Sequence, residues 1–241
     1  MLAAFSSAAT DRRAAAFPGI AGNAQPAAGH LPNPLAPAGT VMRIERDAQI
    51  VAQGDRAQYC FLVVSGCVRT VKVLEDGRRH VGAFLLPGDV FGWEAAERHA
   101  FAAEAVTPAA VRRTRLSTIE DRADADPAFA RRLRQYVAAQ GRMAQEHLVL
   151  LGRKTASERI ASFLLQMHER LGGPGRSAAG QAVVELPMSR ADIADHLGLT
   201  IETVCRQLTE LRRHGVIAVE RTRIAIRDQR ALGLAGSDRL H

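Results

Sequence analysis

Two side chains of complementary charge stand on one helical face near the C-terminus. Glu202 and Arg206 are four residues apart, with Cys205 beside them, and residues at this spacing lie on the same side of an α-helix. A carboxylate accepts a hydrogen bond from the amino group of cytosine, and a guanidinium donates two to O6 and N7 of guanine. The spacing therefore predicts recognition of a G·C base pair, and a simple surface ion pair is the alternative interpretation.

A pair of short helices is predicted to position these side chains. Ser189 and Asp192 have the spacing of a capping box and begin the first helix, after which Leu197-Gly198-Leu199 forms a tight turn. Thr200 caps a second helix that runs to about Arg213. Two helices around a glycine turn are typical of a helix-turn-helix, whose second helix enters the major groove of DNA.

The second helix has a face that we expect to be buried and a face that we expect to be exposed. Val204, Leu208 and Leu211 recur at helical spacing and should pack inward. The residues left outside, which are predicted to read bases, are Ile201, Glu202, Cys205 and Arg206. Two short strands, Val216–Glu220 and Arg223–Arg227, follow and complete a winged helix. Contacts to the DNA backbone are assigned to hydroxyl and guanidinium groups around this surface: Ser189, Thr200, Thr203, Arg212, Arg213, Arg221 and Arg223.

The positive charge of the chain is concentrated in its second half. The 241 residues carry 32 Lys and Arg against 25 Asp and Glu, a net charge of +7. Residues 40–126 have a net charge of −1, from 12 cations and 13 anions, whereas residues 127–241 have +7, from 18 cations and 11 anions. A surplus confined to one part of a chain indicates a polyanionic partner, here double-stranded DNA.

Residues 40–126 have the pattern of a small β-rich domain. Short runs rich in Val, Phe and Leu alternate with turn-like sites every 11 or 12 residues, at Gly54, Gly66, Gly77 and Gly88. This spacing is typical of a β-roll, jelly roll or sandwich. Residues 1–39 are instead rich in Ala, Gly and Pro, with little hydrophobic periodicity, and are predicted to form a flexible arm.

A long helix is predicted over residues 127–151, because Pro127 suits a first helical turn and no further proline occurs before Pro174. Gly152 then marks the boundary to a DNA-binding domain over residues 152–241. Thr155 and Glu158 have the spacing of a capping box and begin a further helix, whose predicted apolar face is Ile160, Phe163, Leu164, Met167 and Leu171. We predict an α+β chain that dimerises along the a/d-like positions of the long helix: Leu133, Val137, Gln140, Ala144, Leu148 and Leu151. A surface helix packed on its own domain would show the same stripe.

Other classes of protein are disfavoured by the composition. The sequence has no run of eighteen apolar residues, and its start lacks the basic and apolar parts of a signal peptide, so we expect no membrane contact. Three cysteines without framework spacing argue for a reducing compartment and hence for a cytoplasmic location. An enzyme on the β-rich domain is disfavoured, because the chain has no clustered His/Glu metal set, no HExxH, no nucleophile elbow and no Walker loop.

Three segments give the chain a resemblance to the CRP/FNR superfamily of bacterial transcription regulators. They are Leu86–Gly92, Leu151–Arg159 and Leu199–Arg206, and the resemblance covers nearly everything after the arm. It implies a homodimeric transcription activator that works with RNA polymerase. The FNR branch reads DNA with a Glu-x-x-Ser-Arg pattern, which the third segment matches except that cysteine replaces serine. The resemblance thus implies a palindrome of TTGAT-like half-sites, contacted by two helices about 34 Å apart.

The chain departs from the family's two best-known sensor types. In place of the Gly-Glu-Leu segment and Arg-Ser pair that hold cyclic AMP, it has Gly92-Trp93 and His99-Ala100, with Arg98 one residue away. Without an arginine on the cyclic phosphate we expect no cyclic nucleotide to bind. The arm has no cysteine, and Cys60 and Cys67 cannot supply four thiolates, so no iron–sulfur cluster, other metal or cofactor is expected.

The remaining resemblance is to the FixK-type branch, which implies control of genes for microaerobic respiration or nitrogen fixation. Cys205 is a candidate for redox regulation, because the helix dipole and Arg206 both favour its thiolate. The alternative is that this cysteine merely replaces serine as a small contact to a base. A second functional hypothesis is a receptor whose β-roll binds haem, a nucleotide or an organic acid, with haem ligands sought among His80, His99 and His147.

If Ser65-Gly66 is a two-residue hairpin loop, Cys67 opposes Val64 and Cys60 opposes Val71. The two cysteines would then not face each other, and we expect both to be small core residues.

Overall fold

A computed structural model describes residues 39–94, 97–171 and 182–236. The predicted arm therefore lies outside the described residues, apart from Gly39. Residues 40–115 form a β-roll of two four-stranded antiparallel sheets, whose orders are β1-β8-β3-β6 and β2-β7-β4-β5. The strands are β1 Thr40–Ile44, β2 Gln49–Val51, β3 Tyr59–Ser65, β4 Val68–Val73, β5 Arg79–Leu85, β6 Val90–Phe91, β7 Ala102–Ala105 and β8 Ala109–Arg115.

The chain changes sheet at Gly66, and the predicted hairpin at this place is wrong. β3 pairs with β6 and β8, whereas β4 pairs with β5 and β7, so β3 and β4 are in different sheets. Gly66 has φ +82°, and a Cβ there would lie 2.5 Å from the carbonyl oxygen of Pro108. Only glycine suits such a crossing. Cys60 and Cys67 are nonetheless buried and free, as expected of small core residues.

Two helices follow the roll. The sequence pattern did not predict the first, α1 at Leu116–Ala125, whose only buried side chain is Ile119. The second, α2, spans Pro127–Arg153 and begins as expected with proline in its first turn, while the Asp126 carboxylate accepts from the backbone of Ala128 and Phe129. α2 continues through Gly152 and ends at Arg153, close to the predicted end.

The C-terminal part is a winged helix with two more elements than the sequence indicated. Its predicted parts are α3 Ala156–Leu171, α4 Arg190–Leu197, α5 Ile201–Arg213, β10 Ile217–Glu220 and β11 Arg223–Ile226. The additional elements are β9 Ala182–Glu185, which pairs with β11, and α6 Gln229–Gly236. The apolar stripe predicted for α3 is buried except for the half-buried Leu171, and it packs in one cluster with Val204, Leu208 and Leu211 of α5.

The roll and the winged helix share a continuous hydrophobic core. Val71, Val81 and Phe84 of the roll belong to the same buried cluster as Phe163 of α3 and Ile193 of α4. A second cluster fills the inside of the roll, where the rings of Phe61 and Phe91 stack with centroids 5.0 Å apart. The DNA-binding elements are therefore packed directly against the outer face of the β2-β7-β4-β5 sheet.

Candidate DNA interface

The helix-turn-helix is built by the local signals that the sequence predicted. The Ser189 hydroxyl accepts from the backbone of Asp192, and the Asp192 carboxylate accepts in return from Ser189, which completes a capping box on α4. Gly198 ends α4 in the left-handed region, at φ +61°. The Thr200 hydroxyl then accepts from the backbone of Thr203 and caps α5. These contacts fix where α5 begins and which face it presents.

The four predicted base-reading side chains lie together on the outer face of α5. Ile201, Glu202, Cys205 and Arg206 are exposed, while Val204 on the opposite face is fully buried. The ion pair described on this helix joins Arg213 to Glu210, and within the described residues none joins Glu202 to Arg206. Both side chains are therefore available to a ligand, which favours base recognition over the surface ion pair.

The charge of Glu202 is stabilised by its place at the helix start. Hydrogen bonds from its own backbone N–H and from the Thr200 hydroxyl lower the pKa of Glu202 below its usual value. The carboxylate is thus an acceptor at neutral pH, as a contact to the amino group of cytosine requires.

The predicted backbone-contacting residues surround this face. The four arginines Arg212, Arg213, Arg221 and Arg223 are all exposed. The hydroxyl groups of the other three residues already have hydrogen-bond partners within the protein. The Ser189 hydroxyl donates to the Asp192 carboxylate, and the hydroxyl oxygens of Thr200 and Thr203 are 3.1 Å apart. The first role of Ser189 and Thr200 is helix capping, and the Ser189 hydroxyl oxygen keeps one lone pair for a further contact.

The sequence pattern did not single out Arg190, which links the wing to α4. It stands at the start of α4, and its guanidinium donates to the carbonyl of Arg221 at 3.1 Å. Arg221 is at the tip of the wing with φ +55°, a conformation that non-glycine residues seldom adopt. Burial lowers the pKa of Arg190, and the nearby Cys205 opposes this effect. The spacing of nearby residues could not predict this role of Arg190, because its partners lie on other elements.

The residues predicted to form the dimer contact of α2 are of two kinds, some buried in their own chain and others exposed. Leu133 is of the first kind and is not available to a partner. Leu133 is only 8% exposed, because it packs in a cluster of its own chain with Cys60, Ile119 and Phe129. Gln140 is half-buried and bonds to the Tyr136 hydroxyl of its own helix. The remaining positions have different exposures: Val137 50%, Leu148 69%, Ala144 exposed and Leu151 half-buried.

An ion network joins the roll to the first helix of the helix-turn-helix. Asp192, the capping residue of α4, contacts Arg69 of β4 at 3.2 Å and Arg79 of β5 at 3.1 Å. Arg79 also contacts Asp195 at 2.9 Å. Burial alone would raise the pKa of Asp192, but the Ser189 hydroxyl and the Arg69 guanidinium outweigh it and hold the pKa below its usual value. Glu104 of β7 completes the network by binding Arg69.

A buried histidine lies beside this network. His196 of α4 is within hydrogen-bond distance of the Val81 carbonyl, at 3.0 Å from Nδ1, and stacks on His147 of α2 with ring centroids 4.3 Å apart. Burial, followed by the charge of His147, lowers the pKa of His196 to about 3. His196 is therefore neutral at physiological pH.

The region that would face a cyclic phosphate holds a carboxylate instead. Glu94 follows Gly92 closely, and its Oε2 accepts from the backbone of Ala100 at 2.6 Å. Its Oε1 lies 3.2 Å from Nδ1 of the buried His99. An anionic ligand would meet this carboxylate rather than an arginine, which is an unfavourable contact.

Comparison with known proteins places the chain in a family. Residues 158–234 match the family described as the Crp-like helix-turn-helix domain, and residues 41–125 match the cyclic nucleotide-binding domain. The nitrogen fixation regulation protein FixK of Azorhizobium caulinodans is 46% identical over 199 residues, which are 82% of this chain and 79% of that protein. The chain belongs to the CRP/FNR family of transcription regulators.

Within the CRP/FNR family the similarity is to FixK proteins. FixK of Rhizobium meliloti is 41% identical, and the match covers 85% of this chain and 88% of the relative. The structure of FixK2 from Bradyrhizobium japonicum superposes with a TM-score of 0.77 at 42% identity, covering 83% of this chain and 98% of that one. The chain is thus a regulator of FixK/FNR type with a DNA-binding helix-turn-helix. None of its described helices is long and apolar enough to cross a membrane.

Proposed function

We propose that this protein is a homodimeric transcription activator that binds a palindrome of TTGAT-like half-sites in promoters for microaerobic respiration or nitrogen fixation. The observation that carries the proposal is the joint exposure of Glu202, Cys205 and Arg206 on one face of a capped α5. Their types and spacing fit the pattern with which the FNR branch reads its half-site. The similarity to FixK proteins, which are named as regulators of nitrogen fixation, supports the assignment of the target genes.

Arg206 and Glu202 are assigned to the G·C pair of each half-site. The guanidinium of Arg206 donates to guanine, and the carboxylate of Glu202 accepts from cytosine. Ile201 and Cys205 supply apolar and small contacts to neighbouring bases. The exposed arginines around α5 and the wing neutralise phosphates and make binding salt-dependent without selecting a sequence.

The dimer is proposed to form through the part of α2 from Val137 to Leu151. Val137, Ala144 and Leu148 leave an exposed stripe on this helix, with Leu151 at its end. Val137 and Leu148 are 50% and 69% exposed, and an exposed apolar stripe on one helix is typical of a surface that a protein partner covers. A parallel pair of α2 helices covers this stripe and places the two α5 helices on successive major grooves.

DNA binding is proposed to need no small effector. The inside of the roll is filled by Phe61 and Phe91, and Glu94 occupies the place that faces His99 and Ala100. The competing hypothesis is a receptor whose roll holds a ligand such as haem. Protein purified without additives would then bind DNA weakly, and an effector or a haem absorption band would accompany the active form.

Redox control is assigned to Cys205, which lies beside Arg190 and Arg206 on the DNA-facing surface. Two equivalents of peroxide convert its thiolate to a sulfinate, which adds a fixed negative charge next to DNA phosphates. The oxidised protein should therefore bind DNA more weakly.

The experiment is a titration of additive-free protein with a fluorescent TTGAT palindrome and with a scrambled duplex of equal length. We expect the palindrome to bind at least about a thousandfold more tightly, the lower end of the range for specific regulators. Equal affinity for both duplexes would contradict the proposal, and selective binding only after an effector is added would favour the receptor.

A further inference from the structure

Arg159 uses all of its guanidinium nitrogens on backbone carbonyls. It stands in the first turn of α3 and is half-buried. Its Nε donates to the carbonyl of Lys154 at 2.9 Å, Nη1 to Leu197 at 2.8 Å, and Nη2 to Leu151 at 2.7 Å. A fork of three short, charge-assisted hydrogen bonds to three different peptide groups fixes the planar guanidinium in position and orientation.

The three carbonyls lie at the C-terminal ends of two different helices, α2 and α4. Leu151 and Lys154 are at the C-terminus of α2, and Leu197 is the last residue of α4. The final carbonyls of a helix lack intrahelical partners and carry partial negative charge. Arg159 therefore supplies both hydrogen bonds and a positive charge to the C-terminal ends of α2 and α4 at once.

The turn of the helix-turn-helix also packs against the Arg159 guanidinium. Gly198 ends α4 at φ +61°, and a Cβ built there would lie 3.5 Å from Nη1 of Arg159 and 3.7 Å from Cδ2 of Leu151. The backbone turn that leads into α5 is thus in contact with both the arginine and the end of α2. This packing points to the same connection as the hydrogen bonds.

We infer that Arg159 is a positioning residue that sets the distance between the two α5 helices of the dimer. It thereby sets the half-site spacing that the protein accepts. The inference rests on the proposed function, in which paired α2 helices carry one α5 each. Because α5 follows directly from the turn held by Arg159, a rotation of α4 against α2 would move α5 relative to the twofold axis. Each base pair added between half-sites moves the second site by about 3.4 Å and rotates it by about one tenth of a turn.

The test compares Arg159→Lys and Arg159→Ala with wild-type protein on a series of palindromes. The duplexes carry identical half-sites, separated by the preferred spacer or by one base pair less or more, and a scrambled duplex completes the series. Arg153→Lys is the matched control, because Arg153 is exposed at the end of α2 in the same segment. Sedimentation and thermal unfolding of each variant establish that it is dimeric and folded.

We expect wild-type and Arg153→Lys proteins to prefer one spacer by about tenfold or more, which corresponds to about 1.4 kcal/mol. In Arg159→Lys the ammonium cannot reach three carbonyls in fixed directions, so this preference should fall severalfold. The preference for palindrome over scrambled DNA should remain, since Glu202 and Arg206 are untouched.

Unchanged spacer preference in both Arg159 variants would overturn the inference. Equal weakening on every duplex, with the spacer preference intact, would assign Arg159 to general stability and would also overturn it. Failure of the wild-type protein to distinguish palindrome from scrambled DNA would instead refute the proposed function, and with it the basis for the inference.

Discussion

Cys205 differs from the other two cysteines in its exposure, because Cys60 and Cys67 are buried. Burial raises the pKa of Cys60 and of Cys67 to about 12, so neither forms thiolate at neutral pH. Cys205 is exposed on the proposed DNA surface, next to Arg206 in the sequence. Oxidation by peroxide should therefore be confined to Cys205.

Cys205→Ser is expected to keep DNA affinity within a few fold and to lose sensitivity to peroxide. The wild-type protein should lose affinity for the palindrome after peroxide treatment, as measured by fluorescence anisotropy. Cys67→Ala is the control, and it should remain as sensitive as wild type because Cys205 is intact. A Cys205→Ser protein that stays equally sensitive would remove the redox role.

At the scale of elements, local signals predicted the helix-turn-helix well but not its support. The capping box at Ser189, the turn at Gly198 and the cap at Thr200 are sequence-local, and all three were predicted correctly. The pairing of Asp192 with Arg69 and Arg79 bridges 123 and 113 residues, a separation over which spacing carries no information. The hairpin expected at Ser65-Gly66 was wrong for a related reason. A glycine indicates a turn, but it does not indicate which sheet the chain enters after the turn.

The buried His196 of α4 is expected to make the free energy of unfolding depend on pH. Its pKa is lowered from 6.5 to about 3 by burial. Between these values the unfolded chain binds a proton that the folded chain does not, so the free energy of unfolding falls as the pH falls below about 6.5. The loss from this one site amounts to about 2 kcal/mol at pH 5.

His196→Phe should remove this part of the pH dependence, since Phe84 and Phe163 already pack around the ring. Denaturant unfolding at pH 7 and pH 5 measures it, with the exposed His214→Gln as the control that should behave like wild type. An equal loss of stability on acidification in wild type and His196→Phe would show that His196 is not the origin.

At the scale of the whole molecule, periodicity predicted a long amphipathic helix but not what covers its stripe. Heptad-like spacing runs through all of α2, yet Phe129, Leu133 and Tyr136 are buried against the roll of the same chain. The exposed apolar residues occur farther along, at Val137, Leu148 and Val149. A stripe at helical spacing looks the same whether its own domain or a second protomer packs on it, which is why Leu133 was misassigned.

Val137→Glu and Leu148→Glu are expected to weaken dimerisation by tenfold or more, because each buries an unpaired charge in the proposed interface. Analytical ultracentrifugation measures the dimer dissociation constant. Leu133→Ala should leave that constant nearly unchanged and instead lower the free energy of unfolding by about 2–5 kcal/mol. Variants of both exposed positions that remain dimeric at nanomolar concentration would contradict the proposed seam.

The central claim, that Glu202 and Arg206 read the G·C pair of a TTGAT half-site, is tested most directly by combining protein and operator substitutions. Wild-type protein and Arg206→Ala are titrated with the palindrome and with a duplex whose half-sites are changed to TTAAT. Wild type should lose about ten- to hundredfold on the changed duplex, whereas Arg206→Ala should bind both duplexes weakly and alike. Glu202→Ala should behave in the same direction, and Arg212→Ala should weaken both while keeping their ratio. An Arg206→Ala protein that discriminates between the two duplexes as well as wild type does would contradict the account.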